Sequence, residues 1–480
     1  MRRTKIVATL GPATDPPKTM KRMLEAGVNL VRMNYSHGHR DDHARRIEQV
    51  RKAAKRTKLE IGIIADLQGP KIRLTGFRNE SIMLSPGDEL TIDPDFPPNE
   101  GDDHNVGVTY KDLPKDVAVG DTLLVDDGRI ILQVEAINDG QIETVVLHGG
   151  RLSGFKGINR EGGGLSARAL THKDKLDLRH AVAHGVDYIA VSFPRSADDI
   201  LDARRLIARA GGKCGIIAKI ERAEAVDAAE EIIEASDAIM IARGDLGVEI
   251  GDAALPPVQK QLIQLAGKHH RAVITATQMM ESMIENSIPT RAEVFDVANA
   301  VLDGTDAVML SAETSVGAHP DVVIAAMARV CIGSEARALE SFERRAEREA
   351  VKAVDHAIAL AAVYCANRYP VKAIAALTET GTTTRLMSRN QSGIPIFALS
   401  RHPETLRRVS LYRGVHAVPF DVTNIAYSEV TKAVLDLLVS RGVVEDGDHV
   451  LITKGDAKGA IGGTNGMKVV TVGDFIEHVG

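Results

Sequence analysis

A short run of apolar, mostly β-branched residues followed by an amphipathic helical stretch recurs along most of this chain. The runs are KIVATL (5–10), NLVRMN (29–34), IGIIADL (61–67), DYIAVSF (187–193), GIIAKI (215–220), AIMIARG (238–244), AVITAT (272–277) and DAVMLS (306–311). They are nearly continuous in apolar character, as strands covered on both faces require. Stretches such as SADDILDARRLIARA separate them. In AGVNL, HGVDY and DGTDA, the residues Gly27, Gly185 and Gly304 stand where a helix should end, a position that favours glycine. Strands alternating with helices in this number predict a (β/α)8 barrel.

Two departures from the repeat divide the chain. Residues 70–168 carry short alternating strands, SIMLSPGDELTI and DTLLVDDGRIILQVEAINDGQIETVVL, with turns at Asp127-Gly128 and Asp139-Gly140. They predict a small antiparallel β-barrel inserted after the third barrel strand, placed to act as a lid. Residues 343–480 return to an α/β pattern, with strands at KAIAALT (372–378), IPIFALS (394–400), HVLITKG (449–455) and KVVTVG (468–473). They read as a smaller doubly wound domain. The barrel itself is expected over 1–69 and 169–342.

Composition narrows the function. A net charge of −6 favours no nucleic acid, and aromatics at 3% with no Trp make a base-stacking surface improbable. No apolar run is long enough to span a bilayer, and no signal core is read near the start, so a cytoplasmic enzyme with no membrane partner is expected. Cys214, Cys331 and Cys365 are scattered, with no CxxC pair, which fits a reducing compartment.

Barrel enzymes carry their chemistry at the carboxyl ends of the strands. Read there, the sequence offers Arg32, Asn34, Ser36 and His37; Asp66; Lys219 and Glu221; Arg243, Gly244 and Asp245; Thr277; and Ser311 with Glu313. Arginine, lysine and three or four carboxylates at one mouth suit an anionic substrate held with a divalent cation. Each motif alone has a plainer reading. Lys219 and Glu221 could be a surface pair worth little. In ARGDLGVEI, Gly244 and Gly247 are expected to turn the backbone tightly and expose N–H groups to an anion, against a plain turn or a chance RGD string. TATQMMESM could be a helix entry near Thr277 with methionine filler. Their order along the chain favours the functional reading.

Taken together, RRTKIVATLGPAT (2–14), NLVRMNYSHG (29–38), DLQGPKIR (66–73), AKIERAEA (218–225), MIARGDLGVEI (240–250), ITATQMMESM (274–283), PTRAEVFDVANAVLDGTDAVMLSAET (289–314) and LYRGVHAV (411–418) resemble the pyruvate kinase family over essentially the whole chain. The resemblance implies transfer of a phosphoryl group from phosphoenolpyruvate to ADP, with Mg2+ or Mn2+, in a homotetramer. It implies Arg32 as the grip on that group and Lys219 as the essential lysine. Glu221 and Asp245 become Mg2+ ligands, and the backbone of Ala242, Arg243 and Gly244 receives the substrate carboxylate. Asn34, Ser36 and Asp66 form a monovalent-cation corner. Arg73 and Lys156 meet nucleotide phosphates, His37 helps seat the nucleotide, and Thr277 and Ser311 serve enolate protonation.

The motifs depart from the common form at Leu67-Gln68, Lys71, Arg222 and Ala312. Lys71 stands where the family usually has an acidic residue, so its ammonium is expected near Asp66, making K+ dispensable. In the last domain, LTETGTTTRLM places Thr378, Thr380, Gly381, Thr382, Thr383 and Thr384 between a strand and a helix. There they resemble a phosphate cradle for an allosteric effector. The glycine-rich loop 453–466 has no Trp or Arg and offers only Lys454 and Lys458, which favours a sugar monophosphate or AMP. The competing readings are a Mg2+-dependent barrel lyase or aldolase acting on phosphoenolpyruvate-like substrates, and a non-catalytic sugar-phosphate sensor.

Overall fold

The computed structural model describes residues 1–338, 351, 353–390, 392–456 and 462–474. Eight strands close into a barrel: β1 Lys5–Thr9, β2 Leu30–Asn34, β3 Gly62–Asp66, β4 Tyr188–Val191, β5 Gly215–Ile220, β6 Ala238–Ala242, β7 Ala272–Ala276 and β8 Ala307–Leu310. Their order is β1-β8-β7-β6-β5-β4-β3-β2, so each strand neighbours the next in sequence. Pairing is parallel, with Ile6 opposite Val308 and Val7 opposite Leu30. Every residue of β1, β3, β5, β6 and β7 is buried, which is why their sequences do not alternate. The helix before β8, Arg291–Asp303, shows how the local sequence sets its own limits. Thr290 and Glu293 form a capping box at its start, and Gly304 (φ +102°) ends it in the left-handed region.

The chain parts into two compact units, residues 1–65, 183–189 and 263–480, and residues 66–182 and 190–262. In the second unit, the inserted segment forms a six-stranded sheet and a two-stranded ribbon. Pairing is antiparallel except between Glu89–Asp93 and Asn105–Gly107. Leu90, Ile92, Leu123, Leu132 and Ile142 fill one shared core. Along Ile130–Asn138 burial alternates, as the period-2 sequence pattern requires.

In the first unit, the C-terminal segment forms a five-stranded sheet. Its strands are β9 Val371–Leu377, β10 Ile396–Ser400, β11 Val415–Pro419, β12 His449–Gly455 and β13 Thr464–Thr471. The order is β11-β10-β9-β12-β13, parallel except for the last pair. Successive residues of β9 feed opposite faces: Ile374 and Ala376 one core, Ala373 and Ala375 the other. That is the two-sided packing of a doubly wound domain. β11 escaped the sequence reading, which knew this stretch only as part of LYRGVHAV.

This sheet is fastened to the base of the barrel by buried charge. Asp306, fully buried just before β8, accepts from the backbone N–H of Val273 at 2.8 Å and of Arg413 at 3.1 Å. It also pairs with the Arg389 guanidinium, which donates to the Arg271 carbonyl as well. Burial drives Arg389 down to about 9 and Arg413 to about 10.

Candidate active site

β5 delivers Lys219 and β3 ends in Asp66, both in the second unit. The Lys219 ammonium lies 2.8 Å from Glu221, 3.2 Å from Asp66 and 2.8 Å from the Ser192 hydroxyl. Ser192 in turn donates to the Leu67 carbonyl at 2.7 Å. Lys219 is therefore a fixed cation in a nearly dry setting: its side chain is 10% exposed, and those of Asp66 and Glu221 are 1%. Glu221 also accepts the Phe193 N–H at 2.9 Å. Burial, with Asp245 and Asp66 adding to it and Lys219 opposing, pushes the Glu221 carboxyl up to about 7. A carboxylate this reluctant to stay charged is one that a hard cation would stabilise.

Asp245 lies in the first turn of the helix Arg243–Ile250, which starts directly after β6. This corrects the expected tight turn: Gly244 and Gly247 are helical. Ala242, Arg243 and Gly244 stand at the helix N-terminus, where the amides carry partial positive charge. Among the described residues no group of three or more His, Cys, Asp or Glu side chains is gathered to hold a metal. Asp245 is close enough to Glu221 for its charge to help raise the Glu221 pKa. That fits Mg2+ or Mn2+, which commonly take one or two carboxylates and complete their shell with water and substrate oxygens.

Lys71 is found elsewhere than expected. Its ammonium pairs with Asp245 at 2.9 Å, while the cation on Asp66 is Lys219. Arg222, another departure from the family, is buried beside it in a cleft lined also by Ile72, Asn159 and Phe193. It donates to the Leu165 carbonyl at 2.9 Å and lies over the Phe193 ring.

The hinge of the inserted domain brings Arg73 and Lys156 together. Arg73 bridges to Gly157, and the Leu74 N–H donates to the Lys156 carbonyl. Arg73 is also bonded to the Phe155 carbonyl at 2.9 Å, and Lys156 is paired with Asp126 at 2.8 Å.

In the first unit, β2 carries Arg32, which donates to the Thr9 hydroxyl at 3.2 Å. The Asn34 side chain accepts the Ser36 N–H at 3.1 Å, and its carbonyl accepts the His37 N–H. Thr277 does not begin a helix, so the plainer reading of this stretch fails. It has φ +67°, and Gln278 and Met280 share this left-handed conformation. Such strain in non-glycine residues gathers at functional sites. Phe193, two residues past β4, has φ +55°. Ser192 and Phe193 carry no motif that would have singled them out in sequence. The Ser311 N–H donates to the Glu313 carboxyl, which burial pushes up to about 7.

A second cleft lies in the C-terminal sheet, lined by Thr378, Glu379, Arg401, Tyr427, Lys454 and Thr464 among others. Gly381 (φ +85°) caps the helix Thr382–Arg389. The Gly381 N–H donates to the Thr378 hydroxyl at 2.9 Å, and the Thr380 and Thr382 hydroxyls meet at 2.9 Å. Two of the expected cradle hydroxyls turn inward: Thr383 bonds Thr464, and Thr384 donates to the Gly381 carbonyl. Arg401, unforeseen in sequence, adds a cation, but Glu379 engages it along with His402. Lys454 lies 3.8 Å above the Tyr427 ring. Lys458 lies outside the described residues.

Comparison with known proteins agrees with this architecture. Residues 1–324 match the family described as pyruvate kinase, barrel domain, and residues 356–470 match pyruvate kinase, alpha/beta domain. The chain is 51% identical to "Pyruvate kinase II" of Salmonella typhimurium over 476 residues, covering 98% of this chain and 99% of that one. It is 51% identical to a pyruvate kinase of Haemophilus influenzae over 459 residues, covering 95% and 96%. A crystal structure of a pyruvate kinase from Cryptosporidium parvum superposes with a TM-score of 0.91 at 34% identity, covering 98% of this chain and 96% of that one.

Proposed function

The chain belongs to the pyruvate kinase family, and from that premise we propose how its residues transfer the phosphoryl group of phosphoenolpyruvate to ADP, giving pyruvate and ATP. The observation that carries the reading is the buried Lys219, held by Ser192, Asp66 and Glu221. Phosphoryl transfer asks a protein mainly for positioning and fixed charge. Arg32 grips the phosphoryl group. Lys219 steadies the charge that builds on the enolate oxygen as the group leaves. The helix N-terminus at Ala242, Arg243 and Gly244 receives the substrate carboxylate. Arg73 and Lys156 meet the nucleotide phosphates, and His37 helps seat ADP. The Thr277 and Ser311 hydroxyls, with water, deliver the proton to carbon. The family needs a divalent metal; Glu221 and Asp245 would hold Mg2+, or Mn2+, which supplies positive charge to the same oxygens. The modules are residues 1–69 and 169–342 for the barrel, 70–168 for a lid that excludes water, and 343–480 for regulation. A coupled assay for ATP from phosphoenolpyruvate and ADP tests the reading; lyase or aldolase turnover without ATP would replace it.

K+ is dispensable in this reading, because Lys71 puts a tethered ammonium where the family usually has an acidic residue, although it meets Asp245 and not Asp66. Turnover with tetramethylammonium replacing K+ should stay near the K+ value. A loss of about tenfold, some 1.4 kcal/mol, that K+ restores would overturn this. The effector is a sugar monophosphate or AMP at Thr378, Thr380, Gly381 and Thr382, with Thr383 and Thr384 framing the loop. Lys454 is the cation facing it, since Glu379 neutralises Arg401. Activation by fructose 1,6-bisphosphate alone, in a screen that includes monophosphates, would exclude this. Homotetramer assembly is supported by Ile288, Phe295 and Leu302, apolar side chains exposed by 75%, 69% and 46%. Light scattering checks it. A cytoplasmic setting is part of the same proposal, and the three free, scattered cysteines support it.

A further inference from the structure

Lys219 and Lys71 both meet carboxylates of the site, Asp66 and Glu221 for one and Asp245 for the other, and they are held differently. Lys219 meets Ser192, Asp66 and Glu221, and its side chain is only 10% exposed. Lys71 is 29% exposed, and its ammonium is 2.9 Å from Asp245, a residue 174 positions away. Its stem runs along the returning strand of the lid hinge, since a Cβ on Gly157 would lie 3.5 Å from the Lys71 Cε. The segment enters through Gly69 (φ +67°) and Pro70 and pairs with that strand where the Ile158 N–H donates to the Ile72 carbonyl. Lys71 is thus a cation on a hinge with a path to solvent, whereas Lys219 is built in.

An ammonium and a divalent cation on the same carboxylate repel each other, and a flexible four-carbon stem lets the ammonium be the one to leave. We propose that Lys71 is a tethered competitor for the divalent cation at Asp245: it holds the carboxylate before the ion arrives and is displaced as the ion binds. The inference rests on the reading of Asp245 as a metal ligand and is independent of the K+ reading. It makes Lys71 a residue that sets metal affinity from the lid hinge.

The test is Mn2+ binding to the full-length enzyme without substrates, followed by electron paramagnetic resonance of free Mn2+ and by calorimetry. Lys71→Met and Lys71→Gln should bind Mn2+ about three- to tenfold more tightly than wild type, a tenfold change being 1.4 kcal/mol. Lys71→Arg, which keeps the charge, should stay near wild type. Unchanged or weaker binding in both neutral variants overturns the inference. Asp245→Asn separates the two failures. If it loses Mn2+ affinity while Lys71→Met changes nothing, the ligand reading stands and the competition falls. If Asp245→Asn binds as wild type does, the ligand reading fails and takes this inference with it.

Discussion

Replacing Lys219 by Met removes a cation from two carboxylates that are each 1% exposed. Two separate losses follow. In catalysis, one fixed electrostatic contact at the reacting centre is commonly worth about 10²–10³ in rate. In stability, removing one partner of a buried pair costs about 3–5 kcal/mol. Glu221, already raised to about 7, can take up a proton at little further cost. The stability loss should therefore sit at the low end, about 3 kcal/mol. Lys219→Arg separates the effects, since it keeps the charge but cannot repeat the geometry of an ammonium touching three partners. The assay is turnover at saturating substrates and Mg2+, with circular dichroism and a thermal melt on the same samples. Met should be folded, less stable and inactive; Arg should recover more stability than turnover. A folded Met variant that keeps more than about a tenth of wild-type turnover would refute the reasoning, because that is less than one such contact supplies.

Glu221→Gln should move the Mg2+ activation midpoint upward, because a charge that a hard cation wants is lost with little change of shape; an unmoved midpoint excludes direct ligation. Asp306→Asn leaves the Arg389 guanidinium buried without its counter-charge, at a cost of about 3–5 kcal/mol in the unfolding transition of the first unit, and adding Arg389→Met should recover part of it. Calorimetry checks both, and a single variant that melts with wild type contradicts the fastening role. His416 is lowered from 6.5 to about 3 by burial, with Lys5, the N-terminal amine and Arg2 adding to it. Below pH 6.5 the unfolded chain takes up a proton that the folded one refuses, so stability falls as pH drops from 6.5 toward 3. At pH 5 the loss is about 1–2 kcal/mol for this half-buried group. His416→Leu should flatten the acid side of a plot of melting temperature against pH; parallel plots for variant and wild type would show that this histidine plays no part.

The barrel was legible because its strands are buried on both faces. That leaves unbroken apolar runs such as GIIAKI, and the strand ends then follow from simple counting. β11 was not, because VHAVP carries a histidine and a proline and forms the sheet's outer strand. The helix Arg243–Ile250 was missed for a related reason. Glycines at 244 and 247 each weigh against helix by about 1 kcal/mol, and tertiary packing overrides them, with Leu246 and Glu249 buried. In LTETGTTTRLM the composition showed a hydroxyl-rich loop but not which hydroxyls face out. That is decided once Gly381 takes φ +85° and the helix starts, turning Thr383 and Thr384 inward.

Charge at the mouth was legible as a list, and its pairing was not. Sequence position put Asp66, Lys219, Glu221 and Asp245 at strand ends, and burial decides what they do there. Three carboxylates in one setting would repel, and the effect shows in Glu221, pushed up to about 7 despite Lys219 beside it. One lysine cannot neutralise three acids. Lys219 takes Asp66 and Glu221, and Asp245 draws its cation from the hinge instead. The family resemblance directed attention to Lys71 as a stand-in near Asp66, because it compared the chain with relatives one position at a time. The structure weighs all the charges together, and the carboxylate still unmatched by Lys219 is the one Lys71 meets.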